Sequence, residues 1–134
     1  MRGRFAWAWP LLIMSGIFIL SQIPGKDIPP TFPMADKLVH GVLYAMLGAA
    51  VTRFFYYRGV RNIRRILCWA VFLSTLYGIF DECHQLFVPG RSFEIGDMVA
   101  DCIGAGIGSC LYLRYRRYRK AYAVTSPRGP SSFR

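Results

Sequence analysis

The sequence predicts an all-α protein, a four-helix transmembrane bundle with both termini cytoplasmic. Three observations lead to this fold class. The chain of 134 residues is 54% hydrophobic with a mean hydropathy of +0.30, which is too apolar for an ordinary soluble domain. Its apolar residues are concentrated in four uncharged runs, each flanked by charge. Most of its basic residues lie in alternate segments between these runs.

The four uncharged runs cover residues 5–25, 38–52, 66–80 and 102–113. The first has about twenty residues, and a helix of that length crosses roughly 30 Å of hydrocarbon at ~1.5 Å per residue. The other three reach spanning length when flanking residues join them, which extends the predicted helices to residues 38–57, 65–87 and 98–115. For the fourth run, a helical hairpin buried between the other helices is the alternative.

The distribution of charge predicts the orientation of these helices. The N-terminal segment, the second connection and the C-terminal segment together hold fourteen basic residues and no acidic residue. The opposite side holds all seven acidic residues, with Lys26, Lys37 and Arg91. By the positive-inside rule, both termini are then cytoplasmic. Because topology and lipid head groups account for the net charge of +10, nucleic acid is not an expected partner.

The remaining segments divide the chain into a transmembrane domain, residues 1–120, and a disordered cytoplasmic tail, residues 121–134. The tail is predicted from its Ser, Pro and Gly content. Four prolines between residues 24 and 33 predict an extended outer loop between the first two helices. A Pro-Gly turn and apolar neighbours within residues 86–96 predict a loop that dips to the membrane interface.

Polar residues gather at the outer ends of helices two, three and four. They are Asp36, Lys37, His40 and Tyr44 in helix two, Tyr77, Asp81, Glu82, His84 and Gln85 in helix three, and Asp97 and Asp101 in helix four. Steps of three and four residues place most of them on one face of each helix, whereas Glu82 is turned about 100° from Asp81. Small residues recur every four positions, at residues 41, 45 and 49 and at residues 100, 104 and 108. Because such residues let helices approach closely, we expect the neighbouring polar faces to point into the bundle.

The predicted cluster brings like charges together. Asp97 and Asp101 repel at four-residue spacing and Asp81 adds a third carboxylate, so a cation, a proton or the basic residues Arg91 and Lys37 must compensate. A metal site is one alternative, since an Asp81-x-x-His84 pair has the spacing found in helical-bundle metal sites. Those sites use two such motifs, and this chain has one. Structural alternatives are a carbonyl-bonded core histidine at His40 and a simple Arg91–Glu94 ion pair.

Four sequence blocks resemble the VanZ-like family. They read SQIPG at residues 21–25, DKLVHGVLY at 36–44, DECHQLFVPGR at 81–91 and DMVADCIG at 97–104. The resemblance covers roughly residues 15–110, and the third block is quite specific. It implies a small bacterial integral membrane protein, multi-pass in the plasma membrane. The founding type is associated with lowered susceptibility to teicoplanin-class glycopeptide antibiotics. The family commonly carries Asn where this chain has Asp101.

With this resemblance, the leading hypothesis is recognition or turnover of an anionic lipid-linked cell-envelope precursor at the extracytoplasmic face. Basic side chains would hold phosphate, and histidine and carboxyl groups would transfer protons. The expected catalytic residues are His40, Asp81, Glu82 and His84. The expected substrate-binding residues are Asp36, Lys37, Tyr44, Gln85, Arg91, Asp97 and Asp101. Membrane lipids are the expected partners, and neither a cofactor nor an oligomeric state is specified. The alternative function is a non-enzymatic membrane scaffold whose polar cluster is structural.

Overall fold

The computed structural model describes residues 5–27 and 34–125, with side chains to residue 122. Within these residues the chain is all-helical and has no strand. The helices are α1 (Ala8–Ser21), α2 (Ala35–Tyr57), α3 (Ile63–Gln85) and α4 (Ile95–Thr125), with a short 3-10 helix (Gly25–Asp27) after α1. The predicted all-α fold of four helices is therefore confirmed, and the cytoplasmic location of the termini stays a prediction.

The helices differ in length relative to a bilayer. Among the described helices, α2 and α3 are the two that are both long and apolar enough to cross a membrane. Each has 23 residues, about 34 Å against a hydrocarbon core of about 30 Å. Helix α1 is apolar but has 14 residues, about 21 Å, which is shorter than the run of residues 5–25 predicts. It ends at Ser21, just ahead of Pro24, whose ring cannot continue a helix.

Helix α4 is one continuous helix of 31 residues, not the helical hairpin considered for the fourth run. It extends beyond the predicted residues 98–115 at both ends. Residues 121–125, predicted as the start of the tail, are helical. The C-terminal extension contains several Arg and Lys residues, which are good helix formers. The rings of Tyr118 and Tyr122, four residues apart, also contact each other. Residues 126–134 of the predicted tail and residues 28–33 of the predicted outer loop lie outside the described residues.

The most extensive packing in the bundle is between α2 and α4. Gly104 lies against the backbone of Gly41, and Gly108 lies against that of Ala45, so closely that a Cβ atom on either α4 glycine would collide with α2. This confirms that the small residues on α2 and α4 face each other. Helix α1 packs mainly on α2, and it is also fixed to α3 by a hydrogen bond of 2.7 Å from the Tyr77 hydroxyl to the Met14 carbonyl.

The interior of the bundle contains buried carboxylates beside an apolar core, and its outer surface is largely apolar. Acidic residues at positions 81, 82, 97 and 101 are at most 2% exposed. On α4 the outward face is an apolar stripe formed by Val99, Ile103, Ile107 and Leu111, each more than half exposed. In water such a stripe would be an unfavourable exposed patch, whereas hydrocarbon solvates it well. Together with the two spanning-length helices, this distribution indicates a membrane protein.

Candidate functional site

The ends of four helices meet at one end of the bundle, which we call the acidic end. Ser21 at the end of α1 contacts Asp81 near the end of α3, and His40 near the start of α2 contacts Asp101 near the start of α4. The C-terminal ends of α1 and α3 and the N-terminal ends of α2 and α4 therefore lie at the same end of the bundle, so successive helices run antiparallel. The acidic end thus collects polar side chains from all four helices, whereas the sequence predicts them only on the second, third and fourth.

A buried pair joins α2 to α4. Nδ1 of His40 lies 3.0 Å from Oδ1 of Asp101, and the two residues are 6% and 0% exposed. The second carboxylate oxygen of Asp101 has no hydrogen-bond partner among the described residues and lies against Gly78. A side chain at position 78 would meet this carboxylate, so the glycine provides the space for it. One turn along α2, the buried hydroxyl of Tyr44 also has no partner within the described part of the chain.

A second set of hydrogen bonds links α1, α3 and the loop that follows α3. The Ser21 hydroxyl donates to Asp81 Oδ1 at 2.6 Å, and the Gln85 amide donates to Asp81 Oδ2 at 3.2 Å. Gln85 Oε1 in turn accepts from Nε and Nη2 of Arg91, at 3.0 and 2.7 Å. Arg91 is therefore oriented through Gln85, and it does not form the Arg91–Glu94 pair considered from the sequence.

The turn before Arg91 is fixed by the loop that follows α1. Gly90 has a φ of +76°, which glycine adopts without strain. Its backbone packs directly on Gly25, whose N–H donates to the Pro89 carbonyl at 3.0 Å. The SQIPG and PGR blocks of the sequence therefore meet in space, and their contact places the Arg91 backbone beside the ends of α1 and α3.

Lys37 is neutralised by two carboxylates. Its Nζ lies 2.7 Å from Glu94 Oε2 and 3.2 Å from Asp97 Oδ1. The Glu94 backbone N–H also donates to Glu82 Oε2 at 2.8 Å, so the fully buried Glu82 anchors the loop between α3 and α4. Lys37 and Glu82 therefore both have partners within the protein, and neither of them lines the cavity at the acidic end.

A cavity of about 440 Å³ opens at the acidic end. Six of the predicted site residues line it: Asp36, His40, Tyr44, Asp81, Gln85 and Arg91. The other five do not. Lys37, Glu82, Asp97 and Asp101 contact lining residues or the adjacent loop. His84 faces α1, with Nε2 at 3.3 Å from the Gln22 amide and its ring 4.8 Å from that of Phe18.

Two polar residues that line the cavity are not among the site residues predicted from the sequence. Ser21 lines the cavity and binds Asp81, and Glu94 lines it and binds Lys37. A signal for Ser21 was its place in the SQIPG block, at the end of an otherwise apolar run. Glu94 was considered only as a partner for Arg91, because the sequence does not show which basic residue the loop brings close.

Two residues that line the cavity and one that does not form a group of potential metal ligands. Among the described residues, Asp36, His40 and Asp97 bring possible ligand atoms within 4.8 Å of one another. Asp81 and His84, considered as a metal motif from their spacing, are not in this group, because Asp81 lines the cavity while His84 faces α1.

No curated protein and no solved structure is significantly similar to the chain. The VanZ/LLP1 family, by contrast, matches residues 5–116. These residues include all of α1, α2 and α3, most of α4, and every residue that lines the cavity. Since this match covers most of the 134 residues, the chain belongs to the VanZ/LLP1 family, as its sequence blocks predict.

Proposed function

We propose that this protein crosses the plasma membrane four times, with both termini cytoplasmic. In this orientation it binds the phosphorylated head group of an anionic lipid-linked cell-envelope component at the extracytoplasmic face. Family membership and the two spanning-length helices support the membrane location. The basic connections and the positive-inside rule support the outward orientation of the acidic end.

The observation that carries the proposal is the state of Arg91. Its guanidinium group is held by Gln85 at the cavity and forms no ion pair with any carboxylate of the described residues. Lys37, by contrast, is already paired with Glu94 and Asp97. A guanidinium group binds phosphate through parallel N–H bonds, and Gln85 uses the Nε–H and one Nη2–H of Arg91. Its Nη1 and remaining Nη2 N–H groups are therefore the cationic donors that an anionic ligand in the cavity would use.

The dimensions and the neighbourhood of the cavity suit a lipid. A volume of about 440 Å³ is within the usual range for small-molecule sites. An apolar groove of about 420 Å³ lies between α1, α2 and α3. Ile17 and Tyr44 line the cavity, while Met14 and Leu47, about one turn away on the same helices, line the groove. The groove thus lies about one turn from the cavity along the same helix pair, and this is where we place the hydrocarbon chain.

The turnover hypothesis depends on fewer residues than the sequence predicts. Of the four expected acid–base residues, His40 and Asp81 line the cavity, whereas Glu82 binds the loop backbone and His84 faces α1. A general acid or base must reach the proton that it transfers, so turnover would rest on Asp81, and on His40 only while its Nε2 is not bound to another ligand. An effect on glycopeptide susceptibility would follow from sequestering or altering the envelope component.

Native mass spectrometry of the detergent-purified protein tests this function. Wild type is expected to retain a phosphorylated lipid, and Arg91→Ala is expected to retain about tenfold less or lower, because a charged hydrogen bond contributes roughly 1.5–3 kcal/mol. Lys26→Ala is the matched control, since Lys26 is an exposed basic residue at the same end that does not line the cavity. Equal lipid retention by a folded Arg91→Ala variant and wild type contradicts the proposal.

A structural scaffold is the second candidate function. The hydrogen bonds that connect Ser21, Asp81, Gln85 and Arg91 tie α1 and α3 to the following loop, which is what a structural network would do. If this is their whole role, Asp81→Ala lowers thermal stability while the lipid content of the folded fraction and the antibiotic response stay unchanged. Selective lipid loss at unchanged stability in Arg91→Ala excludes it.

A further inference from the structure

We propose that Asp36, His40 and Asp97 form a binding site for one divalent transition-metal ion at the wall of the cavity. Asp36 and His40 are one turn apart on α2, and Asp97 is in the first turn of α4. Their possible ligand atoms all lie within 4.8 Å of one another. The close packing of α2 on α4 holds the two parts of the site together.

Each buried ligand uses one polar atom on a protein neighbour and leaves the other free. His40 directs Nδ1 to Asp101, which leaves Nε2 as its available nitrogen. Asp97 directs Oδ1 to Lys37 and leaves Oδ2 without a hydrogen bond to the described residues. A histidine whose second nitrogen is bound to a carboxylate is the usual arrangement of metal-binding histidines, because the carboxylate fixes the orientation of the ring.

A buried polar group of the same cavity also lacks a hydrogen-bond partner. Tyr44 is 0% exposed, lines the same cavity as Asp36 and His40, and its hydroxyl has no partner among the described residues. Its ring lies parallel to that of His40, with centroids 6.2 Å apart. A buried hydroxyl without a hydrogen bond is unfavourable, and a water molecule carried by a metal ion at His40 would supply one.

The charge balance of the acidic end favours a cation. Carboxylates at positions 36, 81, 82, 94, 97 and 101 surround the cavity or contact its wall, and Lys37 and Arg91 are the basic residues beside them. A divalent ion would offset part of this excess negative charge. It would also reduce the repulsion between the carboxylates and an anionic head group bound at Arg91.

The ligand types restrict the metal. Two carboxylates and one imidazole suit Zn²⁺ or Mn²⁺ better than Ca²⁺, which takes oxygen ligands. With zinc–ligand distances of about 2.0–2.2 Å and tetrahedral geometry, ligand atoms lie roughly 3.3–3.6 Å apart, so the group must contract by up to about 1 Å. Asp36 is exposed, and a change of its rotamer can provide this contraction.

Metal binding to the full chain in detergent tests the site without any lipid measurement. After chelator treatment and dialysis against Zn²⁺ or Mn²⁺, elemental analysis is expected to give one ion per wild-type chain. Asp36→Asn should bind at least tenfold more weakly by titration calorimetry. Asp27→Asn, the same substitution at an exposed position outside the group, should bind as wild type does.

The thermal unfolding midpoint provides a second readout, since a ligand that binds only the folded state raises it. Zn²⁺ or Mn²⁺ should raise the midpoint of wild type and of Asp27→Asn, but not that of Asp36→Asn. The metal site is contradicted if wild type holds no ion, or if Asp36→Asn and Asp27→Asn bind alike. Lipid retention that depends on Arg91 would survive that result, so the two proposals fail separately.

Discussion

The two ends of the bundle hold their charges in opposite ways. At the acidic end, carboxylates are buried between helices and bind particular side chains, as Asp101 binds His40. The opposite end has no acidic residue. There, Arg53 lies over the ring of Trp9 at 5.4 Å and Arg116 lies over that of Tyr56 at 4.6 Å. We call this second region the basic end.

This difference separates a candidate site from a membrane anchor. Cation–π contacts and aromatic rings at the basic end suit the interface, where arginine faces lipid phosphate and the rings lie at the level of the head groups. Buried carboxylates at the acidic end are unfavourable unless they are paired, and they point to a ligand or to a structural network. We therefore expect a substitution at the acidic end to lower the free energy of unfolding much more than a comparable substitution at the basic end.

The largest effect is expected for Asp101→Ala. This substitution removes the buried partner of His40 and should lower the free energy of unfolding by about 3–5 kcal/mol. Asp101→Asn keeps a hydrogen-bonding side chain of the same size and should stay much closer to wild type. Thermal or detergent-induced unfolding measures both variants. A stability of Asp101→Ala equal to that of Asp101→Asn would show that the buried pair is not important.

A smaller loss is expected for Gly78→Ala, because a Cβ atom at this position meets the Asp101 carboxylate. The cost should be about 1–3 kcal/mol, as for other overpacked sites. Gly16→Ala is the matched control, since a Cβ atom there contacts nothing and alanine favours the helix. If Gly78→Ala and Gly16→Ala change the unfolding midpoint by the same amount, α3 does not pack closely on Asp101.

The smallest effect is expected at the basic end. Arg116→Ala removes the contacts with the Tyr56 and Tyr57 rings, which lie 4.6 and 5.5 Å from the guanidinium carbon. Each cation–π contact near the surface contributes about 0.5–1 kcal/mol, so loss of the two contacts should cost about 1–2 kcal/mol. The same unfolding assay measures it. A loss as large as that of Asp101→Ala would remove the contrast between the two ends.

Periodicity and charge were enough to predict four helices and the convergence of polar residues at one end. They could not predict the rotation of α3 against α1. His84 and Gln85 differ by about 100° around the helix, and the position of α1 decides that His84 contacts Phe18 while Gln85 lines the cavity. No pattern within α3 contains that information, because it depends on how a separate helix packs.

The loops also limited what the sequence could predict. The sequence did not reveal that the loop after α3 brings Glu94 to Lys37, while Arg91 forms no ion pair among the described residues. This choice depends on the contact between Gly25 and Gly90 and on the backbone bond from Glu94 to Glu82. Both contacts join residues that are distant in sequence, so local spacing does not reveal them.

Cysteine labelling in intact cells tests most directly whether the cavity at the acidic end opens outside the cell. In a variant without the four native cysteines, Ser92→Cys places a thiol at the cavity, and Arg61→Cys places one in the connection between α2 and α3. A membrane-impermeant maleimide is expected to label position 92 in intact cells and position 61 only after lysis. Labelling of position 61 in intact cells, with position 92 protected until lysis, would contradict the proposed orientation and the extracytoplasmic site.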